Sequence, residues 1–192
     1  MSRRNGLIIC ISGPSGAGKG TVLGLVRDMF PGMGTSISVT TRQPRGTEQE
    51  GVEYFFRTKD EFEQMIADGE ILEYDTYVGN YYGTPAAYLR RLSSEGTDCM
   101  LDLTVAGSIA LKKIFGRDAL TIFLMPPSLE VLEERLRGRG TETEDKIRSR
   151  LSQAEDEMKR VDEFDYTVVN DDLDRAVEEV RNLILKKQEE NS

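Results

Sequence analysis

The chain contains no histidine. That absence removes the side chain whose ordinary pKa lies closest to neutrality and the commonest imidazole metal ligand. Any chemistry must therefore rest on Lys, Arg, Asp, Glu and hydroxyl groups. Tryptophan is also missing, and the two cysteines, Cys10 and Cys99, each sit inside an apolar run. Thiols so placed read as buried and reduced, and no disulfide is expected. No apolar stretch reaches the roughly 18 residues that a membrane-spanning helix needs. The N-terminal "MSRRNGLIICIS" is charged, but its apolar run is too short for a signal peptide, so a soluble cytoplasmic protein is expected. Basic charge is in deficit as well: 25 Lys and Arg against 34 Asp and Glu leave a net charge of -9. A protein built to grip a nucleic-acid backbone would show the opposite balance, so small-molecule partners are expected.

What is present suffices for one domain with a real core, at 192 residues of which 38% are hydrophobic. Short apolar runs at 7–12 ("LIICIS"), 99–103 ("CMLDL"), 120–125 ("LTIFLM") and 166–170 ("YTVVN") read as buried strands of a parallel sheet. Helical patterns lie between and after them. Val22, Leu23, Leu25 and Val26 form one stripe, and Leu173, Ala176, Val177, Val180, Leu183 and Ile184 form another behind the cap-like "NDD". The expected fold is α/β, a parallel sheet core flanked by helices. Two segments break the rhythm. From about 35 to 85, "SISVT", "VEYFF", "ILEYDTYV" and "NYYG" read as short strands and hairpins around one small helix, "DEFEQMIADG". Further on, "RLRGRGTETEDKIRSRLSQAEDEMKR" is charged helical sequence broken by two glycines, with Arg135, Arg137, Arg139, Arg148 and Arg150 close together.

The stretch "GPSGAGKGT" follows the first apolar run and precedes a helical pattern. Its residues are Gly13, Pro14, Ser15, Gly16, Ala17, Gly18, Lys19, Gly20 and Thr21. Glycines between a strand and a helix let backbone N–H groups and the helix N-terminus converge on phosphates, with Lys19 supplying charge to the transferred group. A plain strand-to-helix turn is the alternative. Gly20 stands where such loops usually carry the hydroxyl that holds Mg²⁺, which leaves the metal to be accounted for. A second constellation, "SVTTRQPRGTEQEGVEYFF", carries Ser38, Arg42, Arg45 and Tyr54. Arginines at that spacing can clamp one phosphate, and a solvated surface pair is the alternative.

With these motifs, and with "LEY", "GNYYGTP", "RGTETE" and "VVNDDLD" in order after them, the sequence from Gly6 to about Leu185 resembles guanylate kinase. The resemblance implies a P-loop nucleoside monophosphate kinase fold as a single domain. Its core would comprise 1–34, 86–134 and 154–192, its GMP-binding lobe 35–85 and its lid 135–153. The implied reaction is phosphoryl transfer from ATP to GMP, and to dGMP, in a closed site. The resemblance further implies that Arg42, Arg45, Tyr54 and Tyr82 hold the GMP phosphate, that Ser38, Glu73 and Thr84 reach the guanine, and that Arg135, Arg139 and Arg150, with Arg148 a further candidate, approach the phosphates from the lid.

Gly20 then ceases to be a defect, because Mg²⁺ would be held by ATP oxygens and waters, consistent with an ion that dehydrates reluctantly. No direct protein ligand is expected. Asp102, counted with the GMP set, would orient a metal-bound water; a helix cap or turn role is the alternative. Glu73 could equally be an exposed strand residue. The chain departs from the family's Asp-x-Asp-x-Gln-Gly at "DLTVAG", where Thr104 and Ala106 replace an acid and an amide, so base selectivity is in question. The Thr104 hydroxyl is expected to accept a hydrogen bond where the family has its second acid. Two rival readings are a kinase of the same fold acting on another monophosphate and a non-catalytic module that binds protein. The expected partners are ATP and GMP, with no nucleic acid, membrane or obligate protein partner.

Overall fold

The computed structural model describes residues 4–77, 79–138, 140 and 143–191. In chain order the first half holds β1 (Ile8–Ser12), α1 (Lys19–Met29), β2 (Gly34–Thr35), β3 (Ser38–Thr40), β4 (Tyr54–Phe56), α2 (Lys59–Ala67), β5 (Ile71–Tyr77), β6 (Asn80–Pro85) and α3 (Ala86–Ser94). The second half holds β7 (Cys99–Asp102), α4 (Val105–Phe115), β8 (Ala119–Met125), α5 (Leu129–Gly138), α6 (Glu144–Met158), β9 (Tyr166–Val169) and α7 (Leu173–Glu190). The fold is α/β, as the alternation of apolar runs and helical patterns predicts.

Five strands in the order β2-β7-β1-β8-β9 form the central sheet, and every pairing is parallel. A parallel sheet is buried on both faces, which is why its strands are continuous apolar runs. Alternate residues divide between two cores. Ile9, Ile11, Met100, Leu120, Ile122 and Leu124 face α1 and α7. Ile8, Cys10, Cys99 and Leu101 face the opposite way, toward Leu89, Leu92 and Leu111 of α3 and α4. Each fully buried Leu or Ile contributes about 1.5–3 kcal/mol relative to exposure. Both thiols are shut inside the second core, where burial pushes them up, Cys99 to about 12, so they stay protonated.

The second sheet has the order β4-β3-β6-β5. The sequence suggests hairpins here, and β5–β6 is one, but β3 and β4 run parallel, a pairing that local pattern cannot reveal. The edge strand β2 also escapes prediction, because two residues carry no periodicity. Helix α2 is closed at its start by a reciprocal cap. Glu61 N–H donates to Thr58 Oγ1 at 3.2 Å, and Thr58 N–H donates to Glu61 Oε2 at 2.7 Å. Its buried Phe62 packs against Tyr74 and Tyr81 on one face of this sheet. Leu25 departs from expectation: it lies at the margin of the α1 stripe and is 40% exposed.

At the amino ends of the central strands, Arg4 and Gln188 both donate to the buried Asp98 carboxylate. Nearby, Asn5 Nδ2 donates to Asp118 Oδ2 at 2.7 Å and Asn191 Nδ2 to Oδ1 at 3.2 Å. Among the described residues, no helix is long and apolar enough to cross a membrane.

Candidate active site

The carboxyl end of β1 opens into the loop 13–18, and α1 starts at Lys19 behind Gly18. Gly18 has φ +95°, and a Cβ there would lie 2.4 Å from Asn170 Nδ2, so only glycine fits both the backbone and the neighbour. Asn170 Nδ2 donates to Ala17 O at 2.8 Å, and Asn170 O accepts from Arg135 Nη2 at 2.9 Å. The end of β9 thus ties the loop to α5. Lys19 folds back over the loop, donating to Gly13 O at 2.6 Å and Pro14 O at 3.3 Å. The N–H groups at the start of α1 face no acidic side chain in the first turn, so this end of the helix keeps its partial positive charge. Gly20 and Thr21 are exposed on that turn.

Across a cavity of about 540 Å³, Gly13, Ser15 and Lys19 face the second sheet. Strand register explains which side chains meet them. Glu73 lies opposite Thr84, Asp75 opposite Tyr82, Thr40 opposite Tyr82, and Ser38 opposite Tyr54. Because side chains alternate and directly opposed residues share a face, Ser38, Tyr54, Glu73, Asp75, Tyr82 and Thr84 all lie on one side of the sheet. The other side carries Phe62 and α2.

The predicted arginine clamp is not assembled as a pair. Arg42 is buried, with its guanidinium 5.3 Å from the Tyr54 ring. It donates from Nη1 to Glu48 Oε2 at 2.9 Å and from Nη2 to Glu48 Oε1 at 3.0 Å. Nη1 also donates to Gln43 O at 2.8 Å. Arg45 is exposed, and only its backbone N–H joins the cluster, donating to Glu48 Oε2 at 2.8 Å. Glu48 holds Arg42 above its ordinary pKa and is itself held below the usual carboxylate range by Arg42 and the Arg45 N–H.

From the far side, Arg150 on α6 donates to Ser15 Oγ at 2.5 Å, and Arg135 is tied to Asn170. Arg148 is exposed beside Asp145 at 3.9 Å, away from the cavity. Arg139 lies outside the described residues. Gln153 and Glu157 of α6 complete that wall of the cavity.

Glu73 is buried rather than an exposed strand residue, and it accepts from Thr84 Oγ1 at 2.5 Å. Burial raises its carboxyl above the usual range, the Thr84 hydroxyl opposes that rise, and Asp75 adds to it. Asp102, at the end of β7, is solvent-accessible along the cleft but walled in on its other sides. That enclosure raises its pKa against the pull of Lys19.

Thr104 lines the cavity, and its Oγ1 also caps α4, accepting from Gly107 N–H at 3.1 Å; a hydroxyl oxygen has a second lone pair, so the cap and the expected bond to a base are compatible. A threonine directly before an apolar helical run is itself a cap signal. Sequence reasoning misses Glu48, Asp75, Asn170 and the Ser12–Ser108 hydroxyl contact of 2.6 Å that ties β1 to α4. Of these, Glu48 lies in the quoted arginine-bearing segment and Asn170 in "VVNDDLD", whereas no motif contains Asp75.

A family model described as guanylate kinase matches residues 5–187. Guanylate kinase of Shouchella clausii is 46% identical over 184 residues, covering 96% of this chain and 89% of that protein. That of Mycoplasmoides gallisepticum is 47% identical over 188 residues, covering 97% and 95%. A crystal structure of guanylate kinase from Anaplasma phagocytophilum superposes with a TM-score of 0.75 at 29% identity, covering 96% of this chain and 87% of that one. Likeness of sequence along nearly the whole chain, joined to likeness of fold, places it: the chain belongs to the guanylate kinase family, ATP-dependent kinases that convert GMP to GDP.

Proposed function

We propose that the cavity between the phosphate loop and the second sheet divides the GMP kinase reaction between two walls. The observation that carries this reading is the arrangement of Lys19 and Glu73 on opposite walls of one cavity, with Tyr54 and Tyr82 between them. ATP phosphates bind the N–H groups of residues 13–18 and the start of α1, and Lys19 swings from the loop carbonyls onto the transferred phosphoryl. GMP lies along the second sheet. Glu73 accepts from guanine N1–H and the 2-amino group, with Ser38 and Thr84 contributing hydroxyls. Arg42, Tyr54 and Tyr82 hold the acceptor phosphate, and Arg45 reaches it from solvent. Arg135, Arg139 and Arg150 neutralise charge from the side of α5 and α6, which act as the lid over 135–153. Residues 35–85 form the GMP lobe, and the remainder forms the core.

Phosphoryl transfer needs positioning and charge neutralisation more than covalent help. The acceptor phosphate is already an anion, so no general base is required. Among the described residues no group of three or more carboxylates or thiols is placed to hold a metal ion. Open space surrounds Gly20, and Asp102 is the carboxylate that senses Lys19. This donor set fits Mg²⁺ carried in on nucleotide oxygens, with Asp102 reaching one of its waters. When bound, Mg²⁺ neutralises phosphate charge. ATP and GMP are the partners in this reading, and the cytoplasm is the place of action.

A coupled assay with ATP against GMP, dGMP, AMP, UMP and CMP tests it. GMP should be preferred and dGMP accepted. Faster turnover of AMP, UMP or CMP would reassign the acceptor, and no turnover of any would leave a binding module.

A further inference from the structure

Guanine presents three donors on one edge: N1–H and the two hydrogens of its 2-amino group. A single carboxylate has two oxygens and pairs with N1–H and the nearer amino hydrogen. The outer amino hydrogen needs another acceptor, and a site that supplies one separates guanine from hypoxanthine, which lacks the amino group. Thr104 accepts the Gly107 N–H as the cap of α4 and keeps one lone pair of a neutral hydroxyl. Asp75 offers a carboxylate, the stronger acceptor. It stands two residues beyond Glu73 on β5, on the same face, and its side chain lines the same cavity. Its Oδ1 accepts the Thr76 N–H at 2.7 Å, which leaves Oδ2 uncommitted among the described residues. It also borders the adjoining cleft toward α4 and α6, together with Thr104 and Gln153.

The geometry points to Asp75 as the second carboxylate of the base pocket, a specificity-determining residue that accepts the outer 2-amino hydrogen of guanine. This rests on the reading of Glu73 given above. A carboxylate next to Glu73 adds to the cost of ionising that buried group. A ligand edge with three adjacent donors relieves that repulsion, so the pair selects for the donor-rich base.

The test uses GMP and IMP, which differ only by the 2-amino group, with wild type, Asp75→Ala, Asp75→Asn and Glu73→Gln. Asp75→Ala should lower the GMP/IMP ratio of kcat/KM about tenfold through KM for GMP, leaving kcat for GMP and kcat/KM for IMP within about twofold. Asp75→Asn, which keeps a carbonyl acceptor, should retain most of the ratio. If Asp75→Ala keeps the wild-type ratio, or slows both substrates equally, while Glu73→Gln lowers it, the assignment to Asp75 is overturned and the reading of Glu73 stands. If neither variant lowers the ratio, or the wild type does not distinguish the two substrates, both assignments fall.

Discussion

A Cβ on residue 107 would lie 2.5 Å from Oε2 of Glu73 and 3.0 Å from its Cδ, so Gly107 makes room for the carboxylate that the proposed reaction assigns to the base. The glycine sits in the first turn of α4, where alanine is the better helix former by about 1 kcal/mol. Gly107→Ala should therefore leave thermal stability intact while displacing Glu73, raising KM for GMP about tenfold with little change in KM for ATP. Adding Glu73→Asp, which shortens the side chain, should recover part of the loss. Unchanged KM for GMP in Gly107→Ala would show that the carboxylate has room to spare.

In the proposed reaction Glu48 acts on the acceptor phosphate through Arg42. It occupies the end-on edge of the guanidinium, Gln43 O takes a further Nη1 hydrogen, and the group also neighbours the Tyr54 ring and Tyr82. Glu48→Ala should raise KM for GMP about tenfold and leave guanosine, which has no phosphate, bound as before. Calorimetry with both ligands checks this, and tighter GMP binding would mean that Glu48 competes with the phosphate instead of aiming its arginine.

Lys19 donates to the loop carbonyls of Gly13 and Pro14 and, among the described residues, forms no ion pair, so in the proposed reaction its charge is available to the phosphoryl group. Lys19→Met should lower kcat about a hundredfold or more with the fold retained by circular dichroism. Near-normal turnover would remove it from the mechanism.

Much of this arrangement is local in origin and so legible in sequence. The glycine spacing of the phosphate loop, the apolar strands and the cap of α7 are all set by neighbours within a few residues. Glu48 is hidden for the opposite reason: "GTEQEGVE" offers Glu48, Glu50 and Glu53, and only the folded path of the chain decides which reaches Arg42. Asp75 looks like an ordinary strand carboxylate until pairing with β6 puts it on the face shared by Glu73 and Tyr82. The cap made by Thr104 is local as well, since the residue stands directly before the apolar run of α4.

Acid sensitivity should centre on Asp98. Burial alone would raise its carboxyl, but Arg4, the Leu7 N–H and the Gln188 amide outweigh burial and hold it below the ordinary range. An acid depressed in the folded state stabilises above its unfolded pKa, about 3.9, and that contribution is lost as pH falls through the folded value. Denaturant unfolding between about pH 5 and 3 should therefore show a steeper loss for wild type than for Asp98→Asn. Equal slopes would assign the acid lability elsewhere, for instance to Asp165, which Lys112 and Thr121 hold low against burial.

One Asp118 carboxylate receives both Asn5 and Asn191, so the stretch from residue 5 to residue 191 returns on itself almost as a closed ring. Where such a ring is cut matters little to its folded geometry, provided that the cut falls in an exposed turn away from the cavity. A circular permutant joining residues 5 and 191 by a short glycine-rich linker, with new ends at the open Pro31–Gly32 turn, should keep both sheets in register and retain GMP turnover. Loss of activity with an intact circular dichroism spectrum would mean that the order of synthesis matters as well as the final contacts. The proposed site lies at the carboxyl ends of the central strands, and Asn5 and Asn191 meet at their amino ends, so the site and the place where the ring is opened are independent choices.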